Sequence, residues 1–397
     1  MNNKVSVIIP VYNMQEYIEE CLNSIINQTL KDIEILCIDD CSNDNSAYII
    51  KDFIIEDKRI KYIKLDKNSG SAIARNIGIN EANGEFVIFM DPDDYYYDNT
   101  VLERLYLTAK NKNVKVVAGN ILAFDVENNL KGKFREESHF IQDKYYSFRN
   151  EYYSCFGYQS FLFNTKFLKE NNLYFPNYLR RQDPVFFLNV MLLHDNFFAI
   201  NYNIYVYRLF YKKVNWDIRK KRDFINAYKE NFDIFNKENL PYHFMTEFLD
   251  FKYHVLLENQ FKIDKDISIN VENTKHCISY KLLKKGVLSK IQQHEKDYIY
   301  KILQKLKDYS NKRIIIYGFG NIGLMLYEQL QNEYTINQIV DKNLYNISVD
   351  KHKISSKIDK SHREDIVILT VLNEEVKVEI LEELYLLGFS KEQILFN

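Results

Sequence analysis

Phe86-Val87-Ile88-Phe89-Met90-Asp91-Pro92-Asp93-Asp94 passes from an unbroken apolar run to three carboxylates within four positions. The apolar part is short, aromatic and branched, and Asn83-Gly84 stands before it as a turn, so it reads as a buried strand. Three acids at the end of a buried strand repel one another unless a cation or protons relieve them. Two readings stay open at this point. The acids supply hard oxygen ligands to Mg²⁺ or Mn²⁺ together with a substrate's phosphates, or Asp93 and Asp94 cap the segment that follows.

Upstream of that stretch the chain alternates. Strands are expected at Val5–Ile9, Ile33–Ile38 and Ile60–Leu65, with helices at Gln15–Ile26, Ser46–Ile55 and Ala72–Ala82 between them. Downstream, a helix at Val101–Asn111 precedes a strand at Val114–Ala118. This rhythm predicts a mostly parallel sheet covered on both faces, an α/β fold. Residues 126–210 are less regular and crowded with aromatics. Strands are expected there at Phe161–Phe163 and Phe198–Arg208, and a helix at Pro184–Leu193. Residues 217–310 read as helical, and strand–helix alternation resumes at Arg313–Tyr317. The expected division is 1–215, 216–310 and 311–397.

Composition narrows the function classes. The formal net charge is −2, which calls for no nucleic-acid partner, and 46% hydrophobic residues suffice for real cores. Cys21, Cys37, Cys41, Cys155 and Cys277 are scattered without a CxxC pair, which points to a reducing compartment and away from structural zinc. The N-terminus enters a strand with no basic-plus-apolar leader, and no stretch reaches the roughly 20 apolar residues of a membrane span. A cytoplasmic protein is expected, with peripheral contact at the inner face of the membrane left open.

Ligands of open α/β sheets bind beyond the carboxyl ends of the strands. Here those ends are Pro10-Val11-Tyr12-Asn13, Asp39-Asp40-Cys41-Ser42 and the acidic run. Between them Asn68-Ser69-Gly70-Ser71-Ala72-Ile73-Ala74-Arg75-Asn76 enters a helix with a cation on its first turns. Carboxylates, one Arg and a helix N-terminus form a host for a metal-bound diphosphate. Arg75 as a surface residue, and Asp39 or Asp40 as an Asx turn, remain the plainer alternatives.

In order, VSVIIPVYN, EILCIDDCSNDNS, NSGSAIARNIGI and GEFVIFMDPDD resemble the motifs of a family 2 glycosyltransferase with the GT-A nucleotide-diphospho-sugar transferase fold, over roughly residues 4–210. The resemblance implies that Pro10, Tyr12, Asn13 and Gly70 line the nucleotide pocket, that Asp39 bonds the base, and that Arg75 sits near base and phosphates. Asp91 and Asp93 take the DxD positions, with Asp93 the preferred Mn²⁺ or Mg²⁺ contact and Asp94 beside it near metal or donor sugar. Pro92 is a departure that leaves the carboxylates in place.

Inverting sugar transfer needs a carboxylate opposite the leaving diphosphate to take the acceptor's proton. The family places it in a Glu-Asp pair opening a helix, about ninety residues after the DxD motif. Arg180-Arg181-Gln182-Asp183-Pro184 falls there. Pro184 favours a helix start, which puts Asp183 at or next to the N-cap. Asp183 is therefore read as base or as cap. Gln182 replaces the Glu and leaves an acceptor-binding role in question. Tyr207-Arg208 resembles a pair near a lid over the donor and acceptor, while Lys212, Lys213 and Arg219–Arg222 read as lid, membrane contact or solvated face.

Gly318-Phe319-Gly320-Asn321-Ile322-Gly323 is a GxGxxG between an apolar strand and a helix, with Asp341 where a ribose-binding acid would stand. Strands at Ile339–Val340, Asp365–Val371 and Gln393–Phe396 and a helix at Glu375–Leu387 complete a small Rossmann-like unit. It reads as a second site for NAD or another nucleotide at Gly318, Gly320, Gly323 and Asp341, or as a structural or oligomerising unit.

The leading expectation is a metal-dependent inverting transferase, moving sugar from a nucleotide-sugar donor to a glycan or lipid-linked acceptor in bacterial surface-polysaccharide assembly. The alternatives are an NAD-dependent nucleotide-sugar oxidoreductase and an inactive sugar-nucleotide-binding scaffold. A homo-oligomer is left open.

Overall fold

Every residue of β1 (Val5–Val11) is buried, as befits a parallel strand covered on both faces. From it the chain builds α1 (Ile18–Ile26), β2 (Ile33–Asp39), α2 (Ser46–Glu56), β3 (Ile60–Lys64), α3 (Ser71–Glu81) and β4 (Phe86–Phe89). Strands β2 and β4 flank β1, and β3 lies outside β2, all parallel. The chain thus runs outward to β3 and returns on the other side of β1. That reversal opens a crevice at the carboxyl ends of β1 and β4.

The computed structural model describes residues 3–127, 129–133, 139–209, 215–257, 265–290 and 292–396. It divides into two compact units, Met1–Ala227 and Tyr228–Asn397.

The first unit continues through β5 (Tyr95–Tyr96), α4 (Val101–Lys112), β6 (Val116–Asp125), β7 (Leu130–Lys133), β8 (Lys144–Ser147), β9 (Phe161–Asn164), α5 (Thr165–Glu170), α6 (Gln182–Leu193) and β10 (Asn196–Leu209). The main sheet has the order β3-β2-β1-β4-β9-β6-β10-β5, with β7 and β8 paired to β6 and β10. It is mostly parallel up to β4, and β9 then enters antiparallel between β4 and β6. Strand β6 runs past the expected Ala118 because its second half pairs with β10, up to Asp125 beside Leu209. The short strands β5, β7 and β8 carry no alternation long enough to read in the sequence.

The aromatic crowd of residues 126–210 is a packed layer. Phe161 meets Phe187 at 4.7 Å, and Phe175 stacks on Phe186 at 3.9 Å. Phe89 at the end of β4 packs edge-on against both Phe175 and Phe186. These rings fix α6 against the strand end that precedes the acids.

The remaining elements are α7 (Ile218–Glu238), α8 (Pro241–Phe251), α9 (Lys265–Lys275), α10 (Tyr280–Lys290), α11 (Gln293–Leu306), β11 (Ile314–Tyr317), α12 (Asn321–Leu330), β12 (Ile336–Val340), β13 (Ser348–Val349), β14 (His352–Lys353), β15 (Ile366–Leu369), α13 (Glu374–Leu386) and β16 (Ile394–Leu395). Helix α11 shows why this region is helical: Tyr298, Ile299, Ile302 and Leu306 form one buried stripe behind a Gln292–Glu295 capping box. The second unit's sheet runs β12-β11-β15-β16, all parallel. A Cβ on Gly323 would stand 2.0 Å from the Gly318 carbonyl oxygen, so α12 can approach β11 only with glycine there. No helix among the described residues is long and apolar enough to cross a membrane. Lys212 and Lys213 lie outside the described residues.

Candidate active site

Beyond β1 and β4 lies a cleft of about 400 Å³. Pro10 and Tyr12 line it from the end of β1, and Asp91, Pro92 and Asp93 from the end of β4. Gly70, Ser71 and Arg75 come from the start of α3, and Arg180 from the approach to α6. Tyr12 is 40% exposed at the lip, an aromatic face open to a planar ring.

The acidic run relieves its charge in two ways. Asp91 Oδ1 accepts from Arg75 Nη2 at 2.7 Å, and its Oδ2 accepts from Gln159 Nε2 at 3.0 Å. Arg75 is buried, with its guanidinium over the rings of Tyr158 and Phe175 at 5.3 and 5.4 Å. Its Nε and Nη1 are shut off from solvent and have no hydrogen-bond partner. Asp94 takes the other route. Burial, followed by the charges of Asp93 and Asp91, pushes its carboxyl well above the usual carboxylate range.

Asp94 was expected near metal or donor sugar, and the structure places it elsewhere. It is 0% exposed, Oδ2 accepts from Tyr205 Oη at 2.7 Å, and Oδ1 accepts from the Arg208 amide at 2.8 Å. Both oxygens are committed to β10. Asp93, half-buried, remains on the cleft wall. Arg208 does not line the cleft either. Its Nη1 donates to the Asp93 carbonyl at 2.5 Å, its Nη2 pairs with Glu20, and it lies over Tyr95. It clamps the acidic loop from behind.

Asp39 also departs from expectation. It is fully buried, Oδ1 accepts from the Ser42 amide at 2.9 Å, and Oδ2 accepts from Tyr62 Oη at 2.5 Å. It makes the turn rather than reaching a base. Asp40 lines the cleft instead and pins the loop before α3, accepting from the Ser69 and Gly70 amides at 2.6 and 2.7 Å. Burial still lifts its carboxyl above the ordinary value against those two bonds. Asn13, at φ 54°, accepts from the Asn43 amide while its own amide donates to Ser42 Oγ, so it clips two loops together without lining the cleft.

Asp183 lies inside the first turn of α6 and is not its cap. The N-cap is Arg181, in the left-handed region at φ 58°, and Gln182 opens the helix. Proline is tolerated throughout a first turn because those N–H groups lack helical partners anyway, so Pro184 marks the start only loosely. Burial pushes the Asp183 carboxyl up, opposed by Arg75 and Arg181, with Asp91 adding to the rise. Gln182 Nε2 donates to Ser71 Oγ at 3.1 Å, linking α6 to the start of α3.

Tyr158, Gln159 and Arg180 belong to this site and were not singled out. Tyr158 and Gln159 sit on a single 3₁₀ turn in the aromatic-rich stretch, and Arg180 is one of two adjacent cations in a loop. No spacing marks any of them.

In the second unit, Asp341 is tied up by backbone. Oδ2 accepts from the Phe319 amide at 2.8 Å, and Oδ1 accepts from the Asn343 and Leu344 amides at 2.8 and 2.9 Å. Its carboxylate holds the Gly-rich loop. Gly318, at φ 95°, and Gly323 pack closely on neighbouring atoms, whereas Gly320 faces open space with Lys252 Nζ 3.9 Å from where its Cβ would be. Among the described residues no group of three or more His, Cys, Asp or Glu is placed to hold a metal ion.

Residues 6–183 match Glycosyl transferase family 2. The glycosyltransferase GlyG of Streptococcus pneumoniae is 30% identical over 243 residues, covering 58% of this chain and 80% of GlyG. The poly(ribitol-phosphate) beta-glucosyltransferase of Bacillus spizizenii is 33% identical over 193 residues, covering 48% of this chain but only 30% of that protein. Among solved structures, Staphylococcus aureus TarS 1–349 in complex with UDP-GlcNAc superposes with a TM-score of 0.60 at 20% identity, covering 90% of this chain and 100% of that one. At that identity the likeness is one of fold.

Proposed function

From the premise that this chain belongs to glycosyl transferase family 2 and is a glycosyltransferase, we propose a metal-dependent, inverting transfer from a nucleotide-diphosphate sugar to a hydroxyl of a glycan or lipid-linked acceptor. The setting is assembly of a bacterial surface polysaccharide such as capsule or lipooligosaccharide, at the cytoplasmic side of the membrane. A UDP-sugar is the favoured donor, in keeping with the UDP-GlcNAc held by TarS.

One observation carries the reading. Arg75, buried with two unpartnered nitrogens, ion-pairs with Asp91 and also acts on the charge of Asp183. Strand-end acid and helix-start acid thus converge on one cation at the cleft. In this reading Tyr12 and Pro10 receive the base, Asp40 holds the loop beside it, and Arg75 lends its positive charge to a donor phosphate. Asp183 takes the proton of the acceptor hydroxyl as that oxygen bonds to the anomeric carbon, on the face opposite the departing diphosphate. A raised carboxyl pKa makes it a better proton acceptor, and Arg75 and Arg181 oppose the rise.

Mg²⁺ or Mn²⁺ is satisfied by one or two carboxylates plus substrate phosphates, so the lack of a three-ligand group is no obstacle. Asp93 would hold it, with Asp91 already engaged by Arg75 and Gln159. When bound, the metal neutralises charge on the leaving diphosphate.

For the second unit we propose a Rossmann-like fold in which Gly318, Gly323 and Asp341 serve packing and loop geometry. The three amides bonded to Asp341 give that acid a structural task in the loop.

Incubation with Mn²⁺ and a panel of nucleotide sugars, following nucleotide release, tests the reading. Release from one donor, stimulated by acceptor and lost on chelation, is expected. Silence with every donor together with an NAD-dependent absorbance change would overturn it.

A further inference from the structure

Arg180 is the cation on the cleft wall for which the reaction above has no use. Its Nε is shut off from solvent and makes no hydrogen bond. Its guanidinium lies over the indole of Trp216, 5.6 Å from the ring centroid. Asp183 and Asp217 are the carboxylates whose charge it feels, yet among the described residues no carboxylate forms an ion pair with it. Other buried or half-buried arginines of this unit are partnered: Arg59 by Asp57, Arg75 by Asp91 and Arg208 by Glu20. The residue between Arg181 and Asp183 is the neutral Gln182, and its amide is occupied by Ser71.

A guanidinium stacked on an aromatic face has lost little freedom still to lose, and its fork matches carboxylate and phosphate oxygens. A buried, unpaired donor is costly until an acceptor fills it. We propose that Arg180 selects acceptors carrying an anionic group, a phosphate, phosphodiester or carboxylate, next to the hydroxyl that receives the sugar. The acceptor's hydroxyl must reach Asp183, and Arg180 stands three residues before Asp183 in the segment leading into the same helix. An anion on the acceptor therefore meets Arg180, whereas the donor's diphosphate is provided for by Arg75 and the Asp93 metal. This assignment rests on Asp183 being the base.

Trp216 is the chain's single tryptophan, so its fluorescence reports directly on Arg180 and needs no turnover. The full-length protein, first saturated with UDP, is titrated with glycerol 3-phosphate and glucuronate, and in parallel with glycerol and glucose. A saturable change with the two anions and none with the neutral pair is expected. Arg180→Gln should remove that change, with an unaltered thermal melt showing that the fold is kept, and Arg180→Lys should restore part of it. The same preference should appear as at least a tenfold higher kcat/KM for phosphorylated over neutral acceptors, falling towards unity in Arg180→Gln.

Equal responses to anions and neutral polyols, or a response that survives Arg180→Gln, would overturn the proposal. So would a change produced by UDP alone and lost in Arg180→Gln, with nothing further from the anions, since Arg180 would then serve the donor. Absence of nucleotide release from every donor would count against the transferase reading and leave the fluorescence result to stand or fall by itself.

Discussion

At the end of β4, Asp91 is answered by side chains, Arg75 and Gln159. At the end of β12, Asp341 is answered by backbone, the amides of Phe319, Asn343 and Leu344. Both are acids where a buried parallel strand stops, in units built from the same strand–loop–helix step. Backbone amides are fixed, and three of them hold Asp341 in its loop. A guanidinium shared with one carboxylate still has donors to spend, and Arg75 leaves two nitrogens unpartnered. One strand-end acid is held by side chains beside the cleft, and the other by the amides of its own loop.

Several substitutions press on that contrast. Asp183→Asn should have the largest effect, lowering kcat by about 10²–10⁴ while donor affinity stays near wild type, as read by nucleotide release and a binding titration. Retained turnover would remove Asp183 as base. Arg75→Ala should destabilise the first unit by about 3 kcal/mol, because it strands Asp91 without its counter-charge, and denaturant melts would show it. If the melt is unmoved, the end of β4 is not held by that pair. Gly323→Val forces side-chain carbon against the Gly318 carbonyl and should cost about 1–3 kcal/mol or more of the second unit's stability. Donor affinity should be untouched.

Asp341→Asn sharpens the comparison from the other side. One accepting oxygen must replace two, at about 1–2 kcal/mol, with turnover unchanged when normalised to folded protein. A loss of nucleotide binding larger than the loss of fold would mean that this end is a working site after all. The smallest effect concerns pH. Asp183 acts when ionised, and burial raises its pKa, so kcat/KM should fall as pH drops through a value above the ordinary Asp range. Arg75 holds that pKa down, so among folded molecules of Arg75→Ala the acid limb should move to higher pH. A limb that stays in place would uncouple the two residues.

The parallel half of the main sheet was legible because β1, β2 and β4 are largely apolar runs; Asp91 and Asp93 stand where β4 ends, and Arg75 on the first turns of the helix before it. Asp39 and Asp40 show where legibility stops. Neighbours at the end of a strand point to opposite faces, and it is Tyr62 on β3 and the Ser69 and Gly70 amides before α3 that give the two acids their different tasks. Asp94 was expected beside Asp93, near metal or donor sugar. Its fate depends on Tyr205 and Arg208, 111 and 114 residues further on, and no local pattern encodes such a contact. Arg180 escaped because its significance lies in a missing partner, and sequence does not display absences.

The Arg208 clamp has a consequence in time. The carbonyl it grips belongs to Asp93, 115 residues earlier in the chain. At about 5–20 residues per second, a ribosome that has delivered the acidic loop needs on the order of ten seconds more to deliver the strand that braces it. A nascent chain can therefore carry all four motifs before the residue that braces its acidic loop has been made.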